Sequence, residues 1–243
     1  MRILFIGETM ILVSTEIIGN VTLETAAYLD ESSFPLRRAL ESEHAVVHLP
    51  VHEVPAHFPT QASELDQYDV VILSDVGAGI FLEGSPHDGI DRLDLLCAWV
   101  AAGGGLVMVG GFLSFSGMEG KARWGATALE ALLPVDMAIG DDRREAPRGA
   151  RPVLRTDESE GLAALLEDCP PLLGWNSTTA KTDATVVAEI GDEPLLALRR
   201  AGKGRTAAFT SDCGPHWGSD AFLAWKGYAP FWLGLVKWLA DGR

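Results

Sequence analysis

Five side chains that could carry out acid–base or nucleophilic chemistry each follow an apolar run of the sequence. They are Glu8, Asp75, Ser114, Asp212 and His216. Short apolar runs that end in glycine or polar residues are typical of strands buried on both faces of a sheet. Ligands of open parallel sheets bind outside the C-terminal ends of the strands, so we predict that these five side chains converge on one pocket. Such a pocket could transfer protons or hold a divalent cation.

Each residue of this set also has a simpler alternative role. A single carboxylate after a strand often caps a helix or a turn. His216 could be a hydrogen-bonded loop residue packed against Trp217 instead of a general base. Cys213 also follows a strand, but Gly214 and Pro215 offer no helix start that would lower its pKa. We predict catalytic roles for Ser114, His216, Asp212 and Glu8, and ligand-binding roles for Asp75, Phe115, Asn176 and Trp217.

No cofactor can be identified from the sequence, and no residue is assigned to a metal. The glycines at 103–105 and 110–111 do not form a GxGxxG fingerprint, and no segment matches GxxxxGK[ST]. A nucleotide cofactor is therefore not indicated, and a small polar molecule is the expected ligand.

The elements that position these residues alternate along the chain. Apolar runs at 2–7, 68–75 and 106–109 predict buried strands, and apolar spacing over 90–102 predicts a helix. Strands alternating with helices predict an α/β fold, a mainly parallel sheet with helices on both faces. Turn-linked runs between 186 and 211 predict antiparallel strands added near the C-terminus. We expect one domain over residues 1–243.

Three further segments are interpreted from their composition. The segment after Gly7 is predicted as a loop, and Ser32-Ser33-Phe34-Pro35 is predicted to open the next helix. The charged, Gly- and Pro-rich stretch from 136 to 152 predicts an exposed excursion. Its charges at 141–145 are either solvated or cover the pocket or a neighbouring subunit. We predict a homo-oligomer with two-fold symmetry. The Trp-rich C-terminal segment predicts an apolar helix and could supply its interface. Its tryptophans could equally dock the segment on its own sheet.

Composition excludes several classes of partner. Lys and Arg total 19 against 34 Asp and Glu, a net charge of −15, which disfavours nucleic acid and anionic membrane surfaces. No run approaches the ~20 apolar residues that span a bilayer. The start of the chain does not have the pattern of a signal peptide. Three widely spaced cysteines fit a reducing cytoplasm better than a disulfide framework.

Several segments together resemble the glutamine amidotransferase-like family of bacterial cytoplasmic proteins. They are 106–115, 170–176 and 202–217, with Gly7-Glu8 and 68–77, so the resemblance covers essentially the whole chain. It implies a class I glutamine amidotransferase-like fold, a flavodoxin-like three-layer sandwich. In true class I amidotransferases a nucleophilic Cys lies in a Gly-x-Cys-x-Gly elbow after a central strand. Here that strand leads into Gly110-Gly111-Phe112-Leu113-Ser114, without a Cys, so we predict that the chain does not hydrolyse glutamine.

Two classes of function remain open from the sequence. One is an enzyme, hydrolase-like or metal-assisted, that acts on a small polar metabolite. The other is a non-catalytic ligand-binding or assembly protein that keeps the amidotransferase-like fold.

Overall fold

The computed structural model describes residues 1–29, 31–82, 91–155 and 160–242. In chain order its strands are β1 (Arg2–Gly7), β2 (Met10–Ile18), β3 (Val21–Leu29), β4 (Ala45–Leu49), β5 (Val70–Ser74), β6 (Gly105–Val109), β7 (Val135–Met137), β8 (Arg143–Ala150), β9 (Val153–Leu154), β10 (Leu172–Asn176), β11 (Thr178–Ala180), β12 (Thr185–Ile190), β13 (Glu193–Ala201) and β14 (Gly204–Phe209). The helices are α1 (Phe34–Glu41), α2 (Val54–His57), α3 (Ala62–Leu65), α4 (Gly79–Leu82), α5 (Arg92–Ala102), α6 (Leu162–Leu165), α7 (Asp220–Leu223) and α8 (Tyr228–Ala240). None of these helices is long and apolar enough to cross a membrane.

The centre of the molecule is an eight-stranded mixed sheet in the order β4-β1-β5-β6-β14-β13-β12-β9. The strands from β4 to β14 pair in parallel, whereas β13, β12 and β9 continue the sheet by antiparallel pairing. The predicted fold class is confirmed: an α/β sandwich with a mainly parallel sheet and antiparallel strands toward the C-terminus.

Side chains that alternate along the central strands divide the core into two layers. In β1, Ile3 and Phe5 face the layer that holds α1, α6 and α8, while Leu4 and Ile6 face the layer of α2, α4 and α5. Every residue of β5 and β6 is buried because helices cover both faces. This explains why these strands are wholly apolar. Each buried Leu- or Ile-sized side chain contributes about 1.5–3 kcal/mol to folding.

Local capping signals account for α5, which was predicted over 90–102. The Asp91 side chain accepts hydrogen bonds from the backbone N–H groups of Leu93 and Asp94, so the helix begins there. It ends at Gly103, whose φ of 135° is accessible mainly to glycine. The following residues continue directly into β6.

The prediction of a loop between β1 and α1 was wrong. The strands β2 and β3 form an antiparallel hairpin, paired from Met10 opposite Leu29 to Ile18 opposite Val21. Gly19, with a φ of 62°, lies in its tight turn. All nine residues of β2 are exposed. The sequence of the hairpin contains the β-branched residues that favour strands. Apolar strands are expected to be buried in a sheet, however, whereas these two strands are exposed.

The prediction of an exposed excursion over 136–152 was also wrong in part. The strand β7 pairs with β11, and β8 pairs with β10, so both form small antiparallel sheets beside the main one. The sequence does not show β8 as a strand, because a strand that is only partly buried can contain charged residues and glycine instead of an apolar run.

The helix α8 forms as predicted, but it packs on its own sheet. Trp232 is fully buried and Trp238 nearly so, within the same layer as Phe5 and Phe209. These two tryptophans therefore cannot supply the intersubunit surface that their composition suggested.

Candidate functional site

The register of the sheet brings four strand ends into one row. Gly7 lies opposite Ser74, Ser74 opposite Val109, and Val109 opposite Phe209. The residues that follow β1, β5, β6 and β14 therefore emerge side by side at the same edge of the sheet. This is the edge at which ligands of open parallel sheets bind.

Three ionisable residues at this edge have unfavourable backbone conformations. The φ angles of Glu8, Asp75 and His216 are 51°, 46° and 117°. Eight non-glycine residues of the described chain have positive φ, and these three belong to one site. Such conformations cost about 1–3 kcal/mol each and cluster at functional sites. The sharp turns bring these side chains together at one place, here called the crevice. Asp75 interacts electrostatically with both Glu8 and His216, and His216 lies 3.6 Å from Asp212.

The floor of the crevice is formed by Glu8, Ser74, Asp212 and Cys213, all of them buried. The Ser74 hydroxyl donates a hydrogen bond of 2.5 Å to Oε1 of Glu8, and the Cys213 thiol lies 3.7 Å from the same oxygen. Ligand atoms of Glu8, Asp212 and Cys213 all lie within 4.8 Å of one another. The floor therefore concentrates two carboxyl groups and a thiol out of contact with water.

The electrostatics of the floor favour protonated groups. Burial raises the pKa of Glu8 well above its ordinary value, and repulsion from Asp212 and Asp75 raises it further. Burial likewise raises the pKa of Asp212. The Cys213 thiol has its pKa raised by burial and by the two carboxylates, so it is not a thiolate near neutral pH. The groups of the floor are therefore held in their protonated forms, and Cys213 does not offer a thiolate nucleophile.

The wall of the crevice carries Asp75 and His216, which are less buried than the floor. Oδ1 of Asp75 accepts a 2.6 Å hydrogen bond from the Leu113 N–H. Burial raises the pKa of Asp75, although the Leu113 N–H and His216 oppose this. Nδ1 of His216 lies 3.6 Å from Oδ2 of Asp212. Burial lowers the pKa of His216 below its ordinary 6.5, so the imidazole is neutral at pH 7.

Two aromatic rings hold His216 in place. Its ring contacts the edge of Phe112 at 4.1 Å and stacks on Trp217 at 5.1 Å, measured between centroids. The Trp217 indole N–H donates to Oε2 of Glu145, and Arg143 covers the Phe112 ring. The charged segment at 141–145 thus borders the crevice, as one of the two interpretations of its charges proposed.

The structure brings Glu8, Asp75, Ser114, Asp212 and His216 to the same sheet edge, but Ser114 is not placed as a nucleophile. Its side chain is buried, and its oxygen accepts a 3.0 Å hydrogen bond from the Asp75 N–H. The structure gives it a positioning role, since it fixes the turn that directs Asp75 into the crevice.

Of the residues predicted to bind a ligand, some lie at the crevice and others are buried within the protein. Trp217 lines the wall, but it does so as a fully buried ring. The prediction that Phe115 binds a ligand was wrong. Its ring is fully buried with Trp124 in the core layer that contains α2, α4 and α5, so no ligand in the crevice can contact it. Phe112, three residues earlier, takes the place beside His216. Asn176 is buried and binds the protein itself, since its amide pairs with both the N–H and the C=O of Gly111.

Asp142 is an anchor that sequence reasoning did not find. This fully buried carboxylate accepts hydrogen bonds of 2.9 Å from the N–H groups of Ser116 and Gly117, and one of 2.8 Å from Nδ2 of Asn176. It thereby fixes the loop that follows β6. In the sequence Asp142 lies within a charge run, which ordinarily indicates solvent exposure, so no signal distinguishes it from Asp141.

Protonation of the floor makes folding stability depend on pH. Groups whose folded-state pKa is raised contribute most below their unfolded pKa, and that contribution is lost as pH rises through the folded pKa. For Glu8 and Asp212 this window begins near their ordinary values of 4.5 and 3.8 and extends upward. We expect the melting temperature to rise as pH is lowered from 8 toward 5.

The variant Glu8→Gln isolates this effect. The neutral amide is expected to raise stability at pH 8 by about 1–3 kcal/mol and to flatten the pH dependence, because folding no longer has to protonate a carboxylate or bury its charge. Thermal melts from pH 5 to 8 measure both. Glu167→Gln, at an exposed position after α6, is the matched control and should leave the curve unchanged. A pH dependence identical in wild type and Glu8→Gln would contradict a protonated floor.

A mainly parallel sheet between helices, with ionisable residues at its strand ends, defines an α/β protein of the open-sheet class, whose ligands bind at the carboxyl ends of the strands. The chain belongs to the family described as "Putative glutamine amidotransferase", whose profile matches residues 2–241. The resemblance inferred from the sequence is confirmed.

Solved structures agree with this assignment. The chain is similar to cytoplasmic protein STM3548 of Salmonella typhimurium, with 34% identity, a TM-score of 0.91, and coverage of 98% of this chain and 99% of that one. It is also similar to cytoplasmic protein STM1381 of Salmonella typhimurium LT2, with 38% identity, a TM-score of 0.89 and the same coverage. A ThuA-like protein of Bacteroides uniformis, 10% identical over 98% of this chain and 90% of that one with a TM-score of 0.54, shares the fold alone. No functionally curated protein matches the sequence.

Proposed function

We propose that this protein is an enzyme that hydrolyses a small polar metabolite by general acid–base catalysis in the crevice. His216 and Asp75 are the catalytic residues, whereas Asp212, Glu8 and Ser114 position or tune them. The two Salmonella relatives are named as cytoplasmic proteins. We assign this chain to the same compartment and treat residues 1–243 as one domain, since strands from both halves share one sheet.

The observation that carries the proposal is the strained backbone at Glu8, Asp75 and His216. The fold keeps three ionisable side chains in left-handed conformations that glycine would adopt without cost. A protein that needed only turns at these strand ends would be more stable with glycine there. Strain that converges on one crevice is explained by a function for the side chains themselves.

The geometry supports direct attack by water instead of a covalent intermediate. The side chains of Ser114 and Cys213 are buried, so neither offers a free nucleophile. In an ester substrate, Nε2 of neutral His216 would take a proton from water while the resulting hydroxide attacks the carbonyl carbon. Protonated Asp75 would give its proton to the departing alcohol oxygen. Return of the proton from His216 to Asp75 would then restore both groups, with acid and alcohol as products.

This mechanism fixes the sign of the pH dependence. The rate rises through the pKa of His216, which lies below 6.5, because only neutral imidazole acts as the base. The rate falls through the pKa of Asp75, which is raised above 3.8, because only the protonated carboxyl acts as the acid. A bell-shaped pH–rate profile is therefore expected, with one limb set by each group.

Hydrolysis of p-nitrophenyl acetate, a small activated ester, tests the proposal. His216→Gln is expected to lower the rate by about 100-fold, since a general base contributes about 10²–10⁴. His57→Gln, an exposed histidine on α2, is the matched control for nonspecific hydrolysis by surface imidazoles. Equal rates in wild type and His216→Gln, measured with fully folded proteins, would overturn the assignment.

Glutamine is the informative negative substrate in the same assay. We propose that it is not hydrolysed, because the strand that carries the elbow in true amidotransferases ends without a Cys and because Cys213 is buried as a thiol. Release of ammonia from glutamine that is lost in Cys213→Ala would contradict this.

A second candidate function is a non-catalytic binding or assembly protein. The observation that favours it is the exposed apolar hairpin of β2 and β3, a feature of proteins that associate. Binding of small polar ligands without turnover of any would favour this alternative.

A further inference from the structure

The hairpin of β2 and β3, residues 10–29, projects from the sheet and is here called the arm. Eight of its large apolar side chains are between 47% and 74% exposed: Met10, Ile11, Leu12, Val13, Ile17, Ile18, Val21 and Leu23. An isolated two-stranded hairpin is at best marginally stable in water. The outer edges of both strands also leave backbone groups free to pair. The arm is therefore expected to be covered in the working protein.

The exposed apolar residues occupy both faces of the arm. Side chains alternate along a strand, so Ile11, Val13 and Ile17 share one face, while Leu12 and Ile18 lie on the other. Folding back onto its own sheet would cover only one face. An element that is apolar on both faces fits best between two surfaces, as an arm inserted into a second molecule does.

The exposed apolar area of the arm is sufficient for part of a dimer interface. A buried Leu-sized side chain removes roughly 60–120 Å² from water at about 25 cal/mol per Å². Because the eight side chains are already about half covered, they still expose on the order of 400 Å², within the ~300–600 Å² of the largest, often functional, apolar patch of a monomer. In a two-fold dimer each copy also contributes the surface that the partner's arm covers, so each copy approaches the ~800 Å² of a standard interface.

A groove that complements the arm lies beside its root. The groove, here called the α1 groove, has a volume of about 370 Å³ between α1 and the turn from α7 to α8, and its lining includes Phe34, Arg38, Leu223, Trp225 and Lys226. Phe34 is 59% exposed and begins α1, five residues after the arm ends. The groove combines apolar surface with two cations on a protein of net charge −15.

The charges of the arm are opposite to those of the groove. The arm contains Glu16 and Glu24 and no basic residue. Two copies with a net charge of −15 repel each other, so association requires local pairing of opposite charges. Because arm and groove are neighbours on one copy, a two-fold axis near the root lets each copy insert its arm into the other's groove.

We propose that the protein is a two-fold homodimer in which the arm of each copy packs across the α1 groove of the other and part of its apolar side chains fill it, with Glu16 and Glu24 facing Arg38 and Lys226. The arm begins two residues after Glu8, and Ser32, beyond its other end, lies against Gly214 next to Asp212. The dimer contact is thus continuous with the rim of the crevice.

Sedimentation equilibrium at 1–50 µM tests the proposal. Wild type is expected to give a species of twice the 26.0 kDa chain mass. Val13→Lys with Ile17→Lys, on one face of the arm, is expected to weaken dimerisation by at least about 100-fold. Ile139→Lys, which places the same charge on a fully exposed isoleucine outside the arm, should leave the dimer intact. Monomeric wild type, or a dimer that the arm variant does not weaken, would overturn the proposal.

A charge exchange tests the groove separately. Arg38→Glu with Lys226→Glu is expected to weaken the dimer, and adding Glu16→Lys with Glu24→Lys is expected to restore it by at least about tenfold. All four sites are on exposed or partly exposed surface, so the variants are expected to fold; circular dichroism and the melting temperature check this. An arm-dependent dimer without such restoration would overturn the assignment of the α1 groove as the partner surface.

Discussion

Substitution of Gly7 by Ala is expected to destabilise the protein by more than about 4 kcal/mol. A Cβ on Gly7 would lie 1.7 Å from the carbonyl oxygen of Ser74, which belongs to the backbone of the neighbouring strand β5. The φ of Gly7, 110°, is also unfavourable for any residue with a side chain. Relief of the clash would separate two central strands, because neither backbone can move alone. For a chain of this size the loss corresponds to at least roughly 10 °C in melting temperature.

Gly79→Ala is the matched control for this substitution. A Cβ at Gly79 would meet no atom within 4 Å, and the residue begins the short helix α4. Ala there is expected to leave stability unchanged or to raise it by up to about 1 kcal/mol. Thermal and urea unfolding of both variants measure the difference. Similar stabilities of Gly7→Ala and Gly79→Ala would show that β1 and β5 do not approach as closely as the structure has them.

Asp142→Ala is expected to cost about 3–5 kcal/mol, the second largest effect. The substitution removes the acceptor of three hydrogen bonds, from the N–H groups of Ser116 and Gly117 and from the Asn176 amide. These donors are buried and would remain unpaired or require water to enter. Hydrogen exchange should become faster selectively at the backbone amides of Ser116 and Gly117. A general loss of packing would not affect these two amides selectively.

The neighbouring Asp141 provides the control within the same charge run. Asp141 is exposed and pairs with Arg143 at the surface, where an ion pair contributes about 0–1 kcal/mol. Asp141→Ala is therefore expected to lower stability only slightly and to leave exchange at 116 and 117 nearly unchanged. If both alanine variants behaved alike, the loop after β6 would not depend on the buried carboxylate.

The parallel sheet and the row of strand ends could be predicted because burial on both faces leaves a strong pattern. The central strands must be apolar at every position, so the polar residue that ends each run marks the sheet edge. Glu8, Asp75 and Asp212 were located in this way. The same logic failed for the arm, where apolar strands are exposed, and for β8, where charged residues form a strand.

The individual roles of the site residues could not be predicted from the sequence. Whether a side chain faces the crevice or the core depends on the local backbone conformation, as Phe112 beside His216 and the buried Phe115 illustrate. Burial decides the role of Ser114, which accepts a backbone hydrogen bond instead of facing the crevice. Asp142 was missed since its partners, Ser116 and Asn176, are distant in sequence and only the fold brings them together.

The left-handed residues at the strand ends have a consequence for protein engineering. Glycine at position 8, 75 or 216 would relieve about 1 kcal/mol of backbone strain at each site, and at position 8 it would also remove a buried carboxyl. Directed evolution for heat resistance alone would therefore favour glycine at these positions. Such selection would remove the side chains on which the chemistry of the crevice depends. A screen for heat-resistant variants must therefore also measure function.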